Sequence, residues 1–323
     1  MAEDSSGDSQ APRALNQLVQ ANSATRALNI LGDRWTLMIL YLAFSGVRRF
    51  DDFQGRIGLA RSLLTDRLKR LQAAGVLVKR PYAERPTWHE YRLTEMGRDL
   101  YSVALALIGW ERRWFFDPCN PIHRLRHSCG AEFTPQLRCG CCRQPVGPRD
   151  VVGEPGPGAG YEPSPPPRVQ RRSIVPSEGL NRGNPMLDRA FQVLGDRWTS
   201  HVIASAFLGR RRFNEFQEAM GIAPNILADR LARLVELGVL RRDLYQTRPD
   251  RWEYRLTEEG RGLHPLIIEL NRWGDRWLAK PEGAPLILRH LACGHPLDPQ
   301  IVCDQCGEPA NLDTVRAPAA DGV

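Results

Sequence analysis

The sequence predicts a mainly α protein with small β-hairpins, an α+β chain built as two copies of one helical domain with a cysteine-rich tail behind each. Three observations predict this. Residues 32–100 align with residues 195–263 at a constant offset of 163 with no gap, and 36 of the 69 positions are identical. Inside each copy, apolar residues recur at helical spacing and then give way to two short extended runs around a Pro- and Arg-bearing turn. All 8 cysteines fall outside the repeated core. A period this long marks two whole domains, since solenoid repeats run about 20–50 residues.

Each element follows from local chemistry. WTLMILYLAF (Trp35–Phe44) reads as an apolar helix introduced by Asp33, a residue suited to the N-cap. Phe50–Ile57 has helical spacing and stops at Gly58. A second helix crosses Ser62–Ala74, with Leu64, Leu68 and Leu71 inward at i, i+4, i+7, and Gly75 ends it because glycine tolerates the left-handed C′ conformation. Val76–Arg80 and His89–Leu93 are extended and flank PYAERPTW, a hairpin with a long basic tip. Thr94-Glu95-Met96-Gly97 starts another helix. Copy two repeats the series, with Gly221 at the turn, Leu227, Leu231 and Leu234 inward, and Gly238 at the stop.

Helix, short helix, Gly turn, helix and basic hairpin is the order of a winged helix-turn-helix, in which the second helix of the pair enters the major groove. Each copy resembles the HxlR-type winged helix-turn-helix family of bacterial transcriptional regulators. The likeness rests on LGDRWTLMIL, RRFDDFQGRIGLARSLLTDRLKRLQAAGVLVKR and YRLTEMGRDL and their second-copy equivalents, and covers roughly residues 25–116 and 186–279. The resemblance implies a small cytoplasmic DNA-binding regulator that works as a homodimer. Fusing two copies and appending cysteine-rich tails depart from that pattern.

The expected organisation is a disordered tail at 1–13, a winged helix-turn-helix domain over 14–117, and a Cys-rich, zinc-ribbon-like tail over 118–146. A Pro/Gly-rich linker then runs over 147–183, a second winged domain over 184–280, a second ribbon over 281–311 and a final tail over 312–323. The linker contains GEPGPGAGYEPSPPPRVQ, too rich in Pro and Gly to pack a core. Hydrophobic residues at 42% and charged residues at 25% exclude wholesale disorder. No apolar stretch is long enough to span a membrane, and no secretory signal is legible, so the expected compartment is the cytoplasm. The net charge is +7, and the basic residues are almost all arginine, with lysine only at 69, 79 and 280. Arginine offers a planar fork suited to phosphate and guanine edges.

On the Ser62–Ala74 helix, the face opposite the leucines carries Ser62, Thr65, Asp66 and Lys69. Arg61 precedes it, Arg67 and Arg70 flank it, and the hairpin adds Lys79, Arg80 and Arg85. Small hydroxyls allow close approach, and Arg or Lys reaches guanine or phosphate. The competing reading is a solvated helix face on which Asp66 pairs with Arg70. In copy two, Pro224, Asn225, Ala228 and Ala232 replace Arg61, Ser62, Thr65 and Lys69, while Arg230 and Arg233 persist. Its hairpin is richer, with Arg241, Arg242, Arg248, Arg251 and Arg255. Copy one is therefore expected to read bases and copy two to lean on the phosphate backbone.

Behind the hairpin, Leu100, Val103, Leu107, Trp110 and Trp114 repeat at 3-4-3-4 spacing, as do Leu263, Leu266, Leu270, Trp273 and Trp277. Such a stripe suits a helix–helix seam or an ordinary core helix, with a ligand pocket lined by the Trp pairs as the lesser alternative. If the seams meet, the copies form an intramolecular pseudo-dimer; if they meet between chains, a homodimer. A flexible linker of about 40 residues reaches about 35 Å, close to the half-site spacing of about 34–36 Å, and permits both.

Cys129-x9-Cys139-x2-Cys142 matches Cys293-x9-Cys303-x2-Cys306 in spacing, with His127 and His290 just upstream. A Cys-x2-Cys turn sets two thiolates on one side of a tetrahedral metal, and each tail is expected to close its own Cys3His structural zinc site. Reduced structural thiols and redox sensing are the competing readings. The fourth ligand stays open, with His123 or Cys119 as substitutes in copy one and His295 in copy two, and Cys141 reads as a neighbour.

The leading expectation is a sequence-specific regulator binding double-stranded DNA; the alternative is a protein-interaction adaptor built from degenerate winged-helix and ribbon modules. An enzyme is not expected, since no phosphate-cradling Gly-rich loop, G-x-S-x-G elbow or H-E-x-x-H is present. His89, His201 and His264 read as isolated packing or surface residues.

Overall fold

The computed structural model describes residues 23–82, 88–159 and 188–316. Its elements run α1 (Ser23–Leu31), α2 (Arg34–Phe44), α3 (Phe50–Ile57), α4 (Arg61–Ala73), β1 (Leu77–Pro81), β2 (His89–Leu93), α5 (Glu95–Asp99) and α6 (Tyr101–Trp114). A 3-10 turn at Pro121–Arg124 leads to β3 (Arg126–His127), β4 (Pro135–Cys139) and β5 (Val151–Pro155). The second half continues as α7 (Asp188–Leu194), α8 (Arg197–Phe207), α9 (Phe213–Met220), α10 (Pro224–Glu236), β6 (Leu240–Thr247) and β7 (Asp250–Leu256). It ends with α11 (Glu258–Arg261), α12 (His264–Trp277), β8 (Leu286–His290), β9 (Pro299–Cys303) and β10 (Val315–Arg316).

The helices of the repeated core and both hairpins fall where the periodicity places them. Helices α1 and α7 lie outside that reading, and the second hairpin continues as strand to Thr247 and from Asp250, through the segment expected as a long tip. Asp33 caps α2, its carboxylate accepting from the backbone N–H groups of Trp35 and Thr36. Gly58 and Gly221 end α3 and α9 in the left-handed conformation at φ 72° and 60°. The two wings are antiparallel hairpins, with Leu77 opposite Leu93 and Leu240 opposite Leu256, and a bulge lies between Leu244 and Gln246. Thr94 and Thr257 cap α5 and α11 by accepting from the N–H of Gly97 and Gly260. Among the described residues, no helix is long and apolar enough to cross a membrane.

The described chain divides into two compact units, and each draws on both copies of the repeat. The first unit holds the first winged domain within residues 30–138, together with residues 188–197 and 299–316. The second holds the second winged domain within residues 198–298, together with residues 23–29 and 139–159.

In the first unit, Leu64, Leu68 and Leu71 of α4 are buried together with Ile39, Phe53, Leu77 and Leu100. Helix α7 docks here: the N–H of Ala190 donates to Glu111 Oε1 at 2.8 Å, and the Arg189 guanidinium lies 3.9 Å from the Phe115 ring centroid. Leu100, Val103 and Leu107 of the α6 stripe line an apolar hollow with Leu37, Leu40, Tyr41 and Phe44 of α2 and Phe191 and Leu194 of α7. The stripe therefore serves a core in which α2 and α7 take part, and the hollow is lined by aliphatic and Phe/Tyr side chains, not the tryptophans. Strand β4 pairs with β9, and β3 with β10, where Val315 faces His127.

In the second unit, Leu227, Leu231 and Leu234 of α10 are buried with Phe216, Ile203 and Leu263. Helix α1 packs on α12, with the Ala24 N–H donating to Asn271 Oδ1 at 3.3 Å. Strand β5 pairs with β8, Val151 opposite His290, and Arg289 bridges Glu154 at 3.0 Å.

Two stretches depart from the sequence reading. The region read as a linker from Gly147 contains strand β5, paired antiparallel with β8; residues 160–187 lie outside the described residues. The region read as a tail from Leu312 contains β10, held by β3 and by the Arg98–Asp313 ion pair at 2.8 Å. The expected tail at 1–13 and residues 317–323 of the one expected at 312–323 lie outside the described residues.

Candidate functional site

The outward face of α4 is built by the inward one. With Leu64, Leu68 and Leu71 buried, helical geometry turns Arg61, Ser62, Lys69 and Arg70 to the exposed side, and Thr65 is half-buried beside them. Thr65 Oγ1 donates to the Arg61 carbonyl at 2.8 Å. The Arg61 guanidinium sits 4.7 Å over the Phe50 ring centroid, and its Nη1 lies 3.7 Å from Asp51. The i, i+4 pair anticipated between Asp66 and Arg70 is present at 3.0 Å.

Arg67 is a correction. Its side chain is 7% exposed, with Nε 3.1 Å from Asp33 Oδ1 and Nη1 2.6 Å from Asp66 Oδ2. Position 67 lies beside Leu64, Leu68 and Leu71 on the helix, so the guanidinium is drawn inward to the α2 cap and not toward solvent. The repeated Gly-Asp-Arg-Trp-Thr word thus has a structural role in copy one: Asp33 caps α2, accepts from Thr36 Oγ1 at 2.6 Å and holds Arg67.

On α10, Asn225, Ala228, Ala232 and Arg233 are exposed, and Arg230 is half-buried against Asp229. The first wing exposes Lys79 and Arg80; Arg85 lies outside the described residues. The second wing exposes Arg241, Arg242, Arg248 and Arg251. Two of these are engaged, with Arg241 Nε 3.0 Å from Asp243 and the Arg242 guanidinium 3.9 Å from the Trp252 ring centroid. Among the described residues, Arg248 and Arg251 form no side-chain ion pair.

The sequence reading missed a pair of stacked wing contacts. Arg49 lies over Tyr82 and Arg212 over Tyr245, each at 4.7 Å. The signal was available, since these positions are related by the repeat offset and both residue types are retained.

All eight expected metal ligands come together, but in exchanged groups. His127 and Cys129 meet Cys303 and Cys306 in the first unit, and His290 and Cys293 meet Cys139 and Cys142 in the second, with ligand atoms of each group within 4.8 Å of one another. The expectation that each tail closes its own site is therefore corrected: β4 pairs with β9, which brings the Cys-x2-Cys of one tail beside the His and Cys of the other. Cys306 Sγ lies 3.4 Å from His127 Nδ1, and Cys142 and Cys293 Sγ lie 3.3 and 3.4 Å from His290 Nδ1. The opposite ring nitrogen of His127, Nε2, is 3.3 Å from the Pro309 carbonyl. A carbonyl only accepts, so Nε2 is the donor in that contact, which leaves Nδ1 as the nitrogen facing Cys306 Sγ.

The substitute ligands stand apart. His123 is buried, accepts from the Asp117 N–H at 3.0 Å and faces Glu111. Cys119 joins neither four-residue cluster, and His295 groups instead with Cys141 and Cys293. The Cys129 thiol is pulled down to about 7, first by the Ala131 backbone N–H and then by His127, while burial pushes Cys303 up to about 11.

The chain is similar to several known proteins. An uncharacterized HTH-type transcriptional regulator of Mycobacterium tuberculosis (strain CDC 1551 / Oshkosh) is 47% identical over 120 residues, 37% of this chain and 76% of its own length. The uncharacterized HTH-type transcriptional regulator YvaP of Bacillus subtilis (strain 168) is 32% identical over 95 residues, 29% of this chain and 88% of its own. The solved structure of PA1607 shares 36% identity, with coverage of 39% of this chain and 87% of that one and a TM-score of 0.35. The family model of HxlR-like helix-turn-helix proteins matches twice, at residues 30–117 and 193–282, more than half of the sequence. The chain belongs to the HxlR-like helix-turn-helix family.

Proposed function

We propose that the protein is a sequence-specific regulator of transcription that binds double-stranded DNA in the cytoplasm through two winged helix-turn-helix modules. The observation that carries this reading is the two-sided character of α4. Its leucine face is buried, and Arg61, Ser62, Thr65, Lys69 and Arg70 are displayed beside a basic two-stranded wing, in a chain of a helix-turn-helix family. Helix α4 reads bases in the major groove, and Lys79 and Arg80 grip phosphate. In copy two, Asn225 and Arg233 supply the helix contacts, Arg230 supports them, and Arg241, Arg242, Arg248 and Arg251 supply a charge-rich, sequence-indifferent grip.

The two modules act as a pseudo-dimer within one chain. Support comes from the composition of the units, each of which takes a helix and a ribbon segment from the other copy. The Cys/His clusters are structural zinc sites: three thiols and one imidazole form a closed tetrahedral donor set with no position left for substrate.

Selection of bound duplexes from a random pool, followed by titration at several salt concentrations, tests the reading. The expected result is one enriched motif with two half-sites and a steep salt dependence, weakened by Lys69→Glu. An unenriched pool, with binding indifferent to Lys69→Glu, favours the adaptor reading.

A further inference from the structure

We propose that each zinc ion is a clasp that holds an exchanged segment in place: one fastens residues 299–316 onto the first unit, the other fastens residues 139–159 onto the second. This rests on the zinc reading above and adds to it which ligands share an ion and what the ion does.

The geometry fits a metal. Tetrahedral Zn–S and Zn–N bonds of about 2.3 and 2.0–2.1 Å place sulfur and nitrogen about 3.5 Å apart along one edge. The three Sγ–Nδ1 separations are 3.3, 3.4 and 3.4 Å. His127 is pre-set for the role because the Pro309 carbonyl fixes its tautomer, and Pro309 lies on the same exchanged segment that supplies Cys303 and Cys306. One segment therefore brings two ligands and the hydrogen bond that orients a third.

The sequence distances make this a clasp. Cys306 and His127 are 179 residues apart and Cys142 and His290 are 148 apart. The strands that accompany them are short: β9 and β5 have 5 residues each and β10 has 2. Two-stranded pairings of this length are marginal in water on their own. Metal binding to ligands that unfolding separates is itself folding free energy, and it falls on the contacts that bring the exchanged segments home.

The test is zinc content of the full chain after equilibration in buffered zinc. Wild type is expected to hold two equivalents. The triple variant Cys139→Ser, Cys142→Ser, Cys293→Ser removes three ligands of one observed cluster and leaves the other whole, so one equivalent should remain. The triple variant Cys129→Ser, Cys139→Ser, Cys142→Ser damages both clusters, so less than one should remain. The reverse pattern, with the second variant keeping a full equivalent and the first losing both, overturns the exchange and leaves the zinc reading standing. A wild type that binds no zinc overturns both. Because the variants can fail to fold, the wild type loaded with cadmium-113 gives an independent readout. One cadmium should couple to the β-protons of Cys129, Cys303 and Cys306; coupling to Cys129, Cys139 and Cys142 instead sinks the proposal.

Discussion

Arg67 Nε lies 3.1 Å from Asp33 Oδ1, so a single carboxylate caps α2 and anchors the helix that presents the candidate DNA contacts. The pair sets the seating of α4 against α2, and with it the direction in which Ser62, Thr65 and Lys69 point. Replacing Arg67 by Met keeps the aliphatic stem but strips Asp33 and Asp66 of a partly buried partner. We expect a stability loss of about 2 kcal/mol, read as a lower urea midpoint with an unchanged slope. Duplex affinity of the folded variant should stay within about twofold, because the guanidinium does not face outward. Unchanged stability with lost binding would instead make Arg67 a direct contact.

The second wing separates engaged from unengaged arginines. Neutralising Arg248 and Arg251 to Gln should lower the slope of log affinity against log salt by about two, roughly one for each phosphate left without its arginine, while the preferred sequence stays the same. Neutralising Arg241 and Arg242 should move the slope less, since Asp243 and the Trp252 ring already hold those charges. A changed motif in the Arg248/Arg251 variant contradicts the division of labour between the copies.

Gly97 is required for a packing reason. A Cβ at this position would collide with the Val76 carbonyl oxygen, a backbone atom that cannot swing aside, and Gly260 meets Val239 in the same way. Gly97→Ala should therefore cost about 2–3 kcal/mol and displace α5 from the base of the wing. Gly55 provides the contrast. It lies inside α3, and an added methyl there would meet nothing within 4 Å, so Gly55→Ala should stabilise by about 0.5–1 kcal/mol. Thermal unfolding of the two variants should shift in opposite directions.

His264 replaces Tyr101 of the first copy and packs against Phe207 much as Tyr101 packs against Phe44. Burial pushes the imidazole down to about 4, opposed only by the Asp150 charge, and burial pushes Tyr101 up to about 12. A histidine with a depressed folded-state pKa is neutral in the native chain and takes up a proton on unfolding below about pH 6.5. Its stabilising contribution is complete above that value and is lost as pH falls toward 4. Between about pH 7 and pH 5 this should cost about 2 kcal/mol, and His264→Tyr should flatten that part of the stability profile. An equally steep profile in the variant places the acid sensitivity elsewhere.

Local patterning missed α1 and α7 but was enough to locate the helices of the repeated core, both wings, the caps at Asp33 and Thr94, and the eight Cys and His residues that gather into clusters. Each of these depends on neighbours a few positions away, and the duplication states every one twice. Arg67 was misread because spacing along a helix does not reveal a carboxylate waiting on another helix. The partnership of the cysteines was hidden for a deeper reason. The two tails carry the same Cys-x9-Cys-x2-Cys spacing, so the knuckle of either one satisfies the ligand chemistry of the other, and nothing in the residue pattern breaks that tie. The course of the backbone breaks it: pairing β4 with β9 and β5 with β8 brings together thiols that the chain itself holds far apart.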